Sequence, residues 1–590
     1  MAKGFGKLSA IPTRDGAKFL LAFGKCYAEA KGDNEEVQQF LESRLKQINE
    51  SLLDALPQIF DKLVTDGKAG DRENIAALFN AFGSRVDRLQ SGSRALNLEL
   101  SLVAHQTASK ALKRSRFPEQ WAMTQNNLGN AYGDRIRGDR AENLEQAIAA
   151  YELALKVRTC DTFPEEWATT QDNLGSAYGN RIRGDRAENL EQAIAAYELA
   201  LKVRTRDALP EEWAGTQNNL GIAYGDRIRG DRTENLEQAI AAYELALQTY
   251  TRDAFPEDWA MTQNNIGLGY LNRIKGDRTV NFEKAINAFE LALEVYTCHT
   301  FPEDWARGKH NLANAYRDLI RGEPTSNLQT AIKIYQQVAQ LFTRKAFPYK
   351  WAENQGHLAE AFMKQAELRK HPEDLDTAIL LLQEALEVSV SGSPDFIDSK
   401  YRLGTALSRR FEKTQNPEDL KQALDAYKTA LEAISPEHYE RAKIWQALPT
   451  TQSVLGSRLV REGEWQEGLQ LLLNSVRLLR EGDDPLAHAN ALYQTGRAHE
   501  TLSDWDNARL YYRDALRLYD HLKDEPGMAK SRHGLGSILV SQGYVKKGMA
   551  ELEKSLDLYR HLGRSDKVTE VESLQQAVQQ VEQNISEAMA

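Results

Sequence analysis

Apolar and polar positions alternate along this chain in two superimposed rhythms: a helical period within segments and a fixed long step between them. From Phe117 onward, Trp121, Leu128, Tyr132 and Ile136 fall on one helical face. After a break at Gly138-Asp139-Arg140, Leu144, Ala147, Ile148, Tyr151, Ala154 and Leu155 form a second apolar stripe. Pro118 suits a first helical position, where its missing N–H removes no intrahelical bond. Asn143 is placed to cap the second helix, with Gln146 three residues on as in a capping box. The stretch predicts two helices joined by a polar turn.

This unit recurs. Phe117-Pro118 returns as Phe163-Pro164, Leu209-Pro210, Phe255-Pro256, Phe301-Pro302 and Phe347-Pro348, each step being 46 residues, and the first two copies agree at 39 of 46 positions. Gly129, Gly175, Gly221 and Gly267 hold one register, and Ala147, Ala193, Ala239, Ala285 and Ala331 another. A glycine inside a helix costs about 1 kcal/mol relative to alanine, so its recurrence predicts close packing against another helix. A degenerate copy occupies 71–116, diverged copies continue through Leu358-Ala359 and Leu403-Gly404, and a 40-residue step then links Leu455-Gly456, Thr495-Gly496 and Leu535-Gly536. In these later copies the extra length is expected to lie between repeats.

The reading is therefore an N-terminal helical cap or small helical domain over 1–70, an array of 46-residue repeats over 71–392, a diverged and 40-residue array over 393–564, and a C-terminal capping helix over 565–590. Within 1–70, helical patterns run around 14–30, 35–50 and 52–66. Stacked repeats cannot bury their outer faces alone, which is why both ends need caps.

The pattern resembles the tetratricopeptide repeat family. That family's Leu-Gly, Tyr, Ala, Tyr, Ala signature stands here as Leu128-Gly129, Tyr132, Ala147, Tyr151 and Ala154. Two features depart from it: the inter-helix turn is longer, and Gln125 fills the family's tryptophan site, with Trp121 one turn earlier. The resemblance implies an all-α, right-handed superhelical solenoid of about eleven helix pairs whose first helices line a concave groove. The 46-residue units are also similar to the arms of cyanobacterial proteins that often carry a caspase-like CHAT protease domain; no such domain is recognisable here.

Each first helix carries a polar stripe, in the Phe117 unit Met123, Asn127, Asn130 and Asp134. Asn127 recurs as Asn173, Asn219, Asn265 and Asn311, and Asn126, Asn218 and Asn264 precede three of these. The run is similar to that of kinesin light chain, which implies asparagines that hold the backbone of a bound peptide. A carboxamide has donors and an acceptor and can meet a peptide group in either sense. The competing reading is that each asparagine bonds the next repeat and fixes stacking. Asp134, Asp226 and Asp318 continue the stripe, either as an acidic wall favouring a basic segment or as a solvated face. The turns from Arg135 to Arg140 and their copies predict stacked Arg–Asp pairs along one edge, with a phosphate- or acid-binding edge as the alternative. Trp121, Trp167, Trp213, Trp259, Trp305 and Trp351 are expected in the core between repeats.

Composition narrows the function. The net charge of −11 over 590 residues argues against general nucleic-acid binding. Cys26, Cys160 and Cys298 are scattered, without metal-ligand spacing or a disulfide framework. No phosphate loop and no His-Glu-x-x-His motif is present, so no metal, cofactor or catalytic residue is expected. Met1 to Leu8 lacks a leader's apolar core, and no apolar run approaches the roughly 18 residues that span a membrane, so a cytoplasmic setting is expected. The sequence thus reads as a non-enzymatic scaffold for a protein or extended peptide, with a regulatory sensor arm acting on a separate effector, such as a protease, as the alternative.

Overall fold

A computed structural model describes residues 14–30, 34–66, 71–89, 91–319, 321–369, 371, 373–434 and 441–589. Met1 to Leu8 lies outside them. The described residues form helices without strands, and none is long and apolar enough to cross a membrane.

Three helices come first: α1 (Arg14–Glu29), α2 (Asn34–Glu42) and α3 (Glu50–Asp66). The expected second helix over 35–50 stops at Glu42 and passes through a 3₁₀ turn, Leu45–Gln47. Eleven helix pairs follow. They are α4 (Asp71–Val86) with α5 (Arg94–Ala111), α6 (Pro118–Asp134) with α7 (Arg140–Leu155), α8 (Pro164–Gly179) with α9 (Arg186–Ala200), α10 (Pro210–Asp226) with α11 (Arg232–Ala246), and α12 (Pro256–Asn272) with α13 (Arg278–Leu293). Then come α14 (Pro302–Asp318) with α15 (Pro324–Leu341), α16 (Pro348–Arg369) with α17 (Glu373–Leu386), α18 (Pro394–Thr414) with α19 (Pro417–Ala433), α20 (Arg441–Glu462) with α21 (Trp465–Arg480), α22 (Pro485–Thr501) with α23 (Trp505–Leu522), and α24 (Glu525–Ser541) with α25 (Val545–His561). The last helix is α26 (Ser565–Met589). The chain divides into two units, Met1–Asn311 and Leu312–Ala590.

The helix starts follow local chemistry. Pro118, Pro164, Pro210 and Pro256 open the first helices. The second helices are capped differently from expectation. Asp139, not Asn143, is the N-cap of α7, and its carboxylate accepts from Glu142 N–H at 2.7 Å. Asn143 sits one turn inside, buried, and its side chain donates to the Arg137 carbonyl at 3.0 Å. Gly138 makes the turn possible with φ of +83°, a left-handed conformation that costs a residue with a side chain. Ile136 leaves the predicted apolar face and stands exposed in that turn.

In the N-terminal unit each recurrent glycine faces the aromatic ring of its partner helix: Gly129 the ring of Tyr151, Gly175 that of Tyr197, Gly221 that of Tyr243 and Gly267 that of Phe289. The tryptophans join successive repeats. Trp259 packs against Ala214, Ala246 and Tyr250 on one side and against Ala260, Ala292 and Tyr296 on the other. Before the repeats, α1 to α3 lay Phe19, Phe23, Leu41, Leu56 and Phe60 into one core with Phe79 and Phe82 of α4. In the C-terminal unit, the extra length of the 40-residue step goes into helix rather than linker, since α23 has 18 residues and α24 begins three residues after it ends. There α26 covers Leu552, Leu556 and Tyr559 with Val571.

The charged edge carries the expected Arg–Asp pairs between repeats at long range, Arg183 lying 3.9 Å from Asp139 and Arg229 3.9 Å from Asp185, but its closest pairs are to glutamates. Arg135, Arg181, Arg227 and Arg273 each reach back to a glutamate 36 residues earlier, Glu99, Glu145, Glu191 and Glu237. Each guanidinium donates twice, as in the 2.8 Å and 2.8 Å bonds of Arg227 to Glu191. The aspartates of the turn are already engaged as helix caps, and the longer glutamates of the preceding second helix span the gap. These pairs are partly buried and bidentate, the geometry in which ion pairs count. Arg227→Met is expected to lower stability by about 1 kcal/mol, whereas Arg229→Met, whose pair with Glu188 is about half exposed, changes it by less than about 0.5. Urea denaturation followed by circular dichroism distinguishes the two; equal effects would remove the special standing of the buried rung.

Candidate groove site

The polar stripe of the first helices is built by register. Residues of the Asn126 class sit one position before those of the Asn127 class, and the two differ in burial. Asn126, Asn218 and Asn264 are buried, as is Asn311, while Asn127, Asn173, Asn219 and Asn265 are half-buried. Asn173 donates to the Asn126 side-chain oxygen at 3.3 Å, Asn265 to that of Asn218 at 3.0 Å, and Asn311 to that of Asn264 at 3.0 Å. Asn127 begins the series by donating to Ser84 Oγ at 3.4 Å. In the second copy Asp172 replaces the buried asparagine. It faces Arg204 at 3.5 Å with Asn219 beside it, and burial raises its carboxyl above the usual range.

The ladder therefore bonds repeat to repeat. These bonds do not exhaust it. Asn173 and Asn265 each commit one N–H to the preceding repeat, leaving a second N–H and the carbonyl oxygen for other partners. Stacking and guest recognition are compatible uses of one side chain.

The stripe's aspartates have separate fates. Asp134 and Asp226 are exposed, Asp226 lying 3.7 Å from Arg186. In the C-terminal unit Asp318 is half-buried, bonded by Arg317 at 2.9 Å and by Lys364, and these cations hold its carboxyl below the usual range despite burial. Of the three, Asp318 is the one whose charge its neighbours offset.

At the N-terminal end of the stripe lies a cavity of about 920 Å³. Its walls come from α1, α4 and α6, with Leu21, Tyr27, Leu78, Ala81 and Met123 supplying apolar surface. Asn80 and Asn127 bring polar groups, and Lys25, Arg85 and Arg88 bring positive charge. Gly24 allows the approach of α1 to α4, since a Cβ there would stand 3.0 Å from Leu78. Tyr27 and Met123 each keep 37% of their surface exposed. Of these residues, sequence reasoning singled out only Met123 and Asn127. The α1 wall escaped it because residues 1–70 carry no repeat signature to set a register.

An all-helical chain built from consecutive helix pairs, with a small residue of one helix under an aromatic of the next, defines the class of helical repeat solenoids. The tetratricopeptide repeat model matches residues 121–158 and 167–207. The chain thus contains tetratricopeptide repeats. Among curated proteins, tetratricopeptide repeat protein 29 of Homo sapiens is 21% identical over 144 residues, covering 21% of this chain and 30% of that protein. Its Macaca fascicularis counterpart is 20% identical over 144 residues with the same coverage. The chain thus spans about 30% of the length of these curated relatives. Among solved structures, a putative kinesin light chain from Podosopora anserina with nearly identical repeats is 16% identical, with a TM-score of 0.26, covering 37% of this chain and 95% of that one. The C-terminal part of a repeat-containing protein from Cytophaga hutchinsonii is 12% identical, with a TM-score of 0.29, covering 58% and 98%.

Proposed function

We propose that the chain is a protein-binding scaffold whose N-terminal unit holds an extended peptide along the first helices. The observation that carries this reading is the 920 Å³ cavity, apolar in its walls and continuous with the asparagine stripe through Asn127. Surface of this kind, concave and apolar with a few placed polar groups, is where ligands gain most from leaving water. The guest has an apolar side chain that enters between Leu21, Leu78 and Met123, and a backbone that meets the free amide groups of Asn127, Asn173, Asn219 and Asn265. One such bond nets about 0.5–1.5 kcal/mol, so several in register add useful affinity with little demand on side-chain sequence. The basic guest expected from the aspartates is less suited to this end, where Lys25, Arg85 and Arg88 line the cavity and favour an acidic flank.

Met123→Glu and Ala77→Glu test the reading, because both side chains line the cavity and both are exposed, so the fold tolerates the change. A partner captured from the native host by the full chain is expected to bind at least about tenfold more weakly to either variant, since a carboxylate must be desolvated in the apolar pocket. The control is Leu380→Glu, at an exposed site of the C-terminal unit. Retained affinity in both cavity variants, at unchanged melting temperature, would place the guest elsewhere.

A further inference from the structure

The C-terminal unit contains a cavity of about 730 Å³ whose character is opposite to the first, being lined mainly by polar and charged groups. Three successive first helices supply it: Tyr493 and Arg497 from α22, Lys530, His533 and Ser537 from α24, and Lys567 from α26. Most of its charges are already engaged. Arg564 makes a two-pronged pair with Asp566 at 3.1 and 3.0 Å, Lys567 pairs with Glu570 at 2.5 Å, and Glu500 accepts from the Tyr512 hydroxyl. Two cations remain. Neither Lys530 nor Arg497 forms an ion pair with a carboxylate among the described residues.

Lys530 is held in place without one. Its Nζ lies 4.8 Å from the ring centre of Tyr493 and 4.9 Å from that of Tyr519. It donates to the Asn490 side-chain oxygen at 2.9 Å, and the Tyr519 hydroxyl donates to the same atom at 2.7 Å. Aromatic faces stabilise an ammonium but do not neutralise it. The partly buried lysine is therefore positioned, charged and short of a counterion, and burial lowers its pKa.

We propose that this cavity binds a phosphomonoester, with Lys530 and Arg497 as its counter-charges. A phosphomonoester carries about −1.5 to −2 charges at pH 7 and three acceptor oxygens, which matches two uncommitted cations better than a single carboxylate does. The guanidinium of Arg497 can take two of those oxygens side by side, and Lys530 acts as a point charge on the third. Ser537 and His533 line the same space and offer further donors. Burial lowers the His533 pKa, which keeps its imidazole neutral with one N–H to give. The phosphoryl group can belong to a modified side chain of a partner protein or to a small phosphorylated molecule.

Isothermal titration of the full chain with phenyl phosphate, benzoate, a phosphoserine heptapeptide and its unmodified twin tests this. Phenyl phosphate is expected to saturate one site, and benzoate to bind at least about tenfold more weakly. Arg497→Gln and Lys530→Gln are each expected to weaken phenyl phosphate by at least about tenfold, the loss of one charge-assisted contact. Arg564→Gln, which removes a cation already committed to Asp566, should change it by less than about twofold. A phosphopeptide that binds more tightly than phenyl phosphate points to a modified protein, and one that binds more weakly to a small molecule. The proposal is overturned if neither phosphorylated probe saturates, if benzoate equals phenyl phosphate, or if affinity survives Arg497→Gln. Arg497 is exposed, so that variant decides the matter even where Lys530→Gln fails to fold.

Discussion

Gly221→Leu is expected to destabilise the N-terminal unit by about 3 kcal/mol, and Gly221→Ala by about 1–2, even though both replace a poor helix former by a good one. Propensity alone predicts a gain of about 1 kcal/mol for alanine. Packing reverses the sign. A Cβ at this position would stand 2.6, 2.8 and 3.0 Å from three ring atoms of Tyr243. Tyr243 has little room to withdraw, being 5% exposed and packed with Ala239, Ile240 and Ile266. The decisive comparison is a double-mutant cycle. In a Tyr243→Leu background the ring is gone, and Gly221→Ala should become neutral or stabilising by up to about 1 kcal/mol. Denaturant midpoints of the four proteins read the coupling directly. An alanine penalty that persists without the ring would show that the glycine serves something other than this contact.

That contact was legible in the sequence as a conflict, a glycine recurring inside a helix where alanine would do better, and conflicts of this kind resolve into packing. The helix starts were equally legible, because Pro118 and its copies carry a local reason to stand where they do. Caps were less so. Asp139 and Asn143 are both good N-cap residues, and the choice between them depends on where the left-handed Gly138 lets the chain turn. The arginine ladder could be seen as charge but not as pairing, since Arg227 finds Glu191 only through the rotation from one repeat to the next. The asparagine stripe shows the limit most clearly. Its register was evident, but the division into a row that accepts and a row that donates is a property of stacked helices, not of either helix alone. The cavity walls from α1 had no repeat to align with, and the tyrosine-held Lys530 sits in copies too diverged to announce a stripe.

Through His105, acid is expected to weaken the N-terminal unit below about pH 6.5. This side chain on α5 is 2% exposed, and its Nδ1 lies 2.9 Å from the Asn80 side-chain oxygen, while the Asn80 amide donates to Thr124 Oγ1 at 2.6 Å. Burial without a carboxylate partner drives its pKa down to about 3. In the unfolded chain the same imidazole titrates near the ordinary value of about 6.5. Between those values the unfolded state binds a proton that the folded state refuses, so stability falls as pH drops below about 6.5, by about 1.4 kcal/mol per unit and about 2 kcal/mol at pH 5. Asp172, Asp87 and Asp258 have pKa values raised by burial and act in the opposite direction as pH falls through those raised values. The histidine's share of the slope between about pH 6.5 and 5 is the part that a His105 variant removes. His105→Gln keeps a neutral hydrogen-bonding side chain and should flatten the slope in that window while lowering stability at pH 8. Parallel slopes for the two proteins would show that His105 is not the group that titrates.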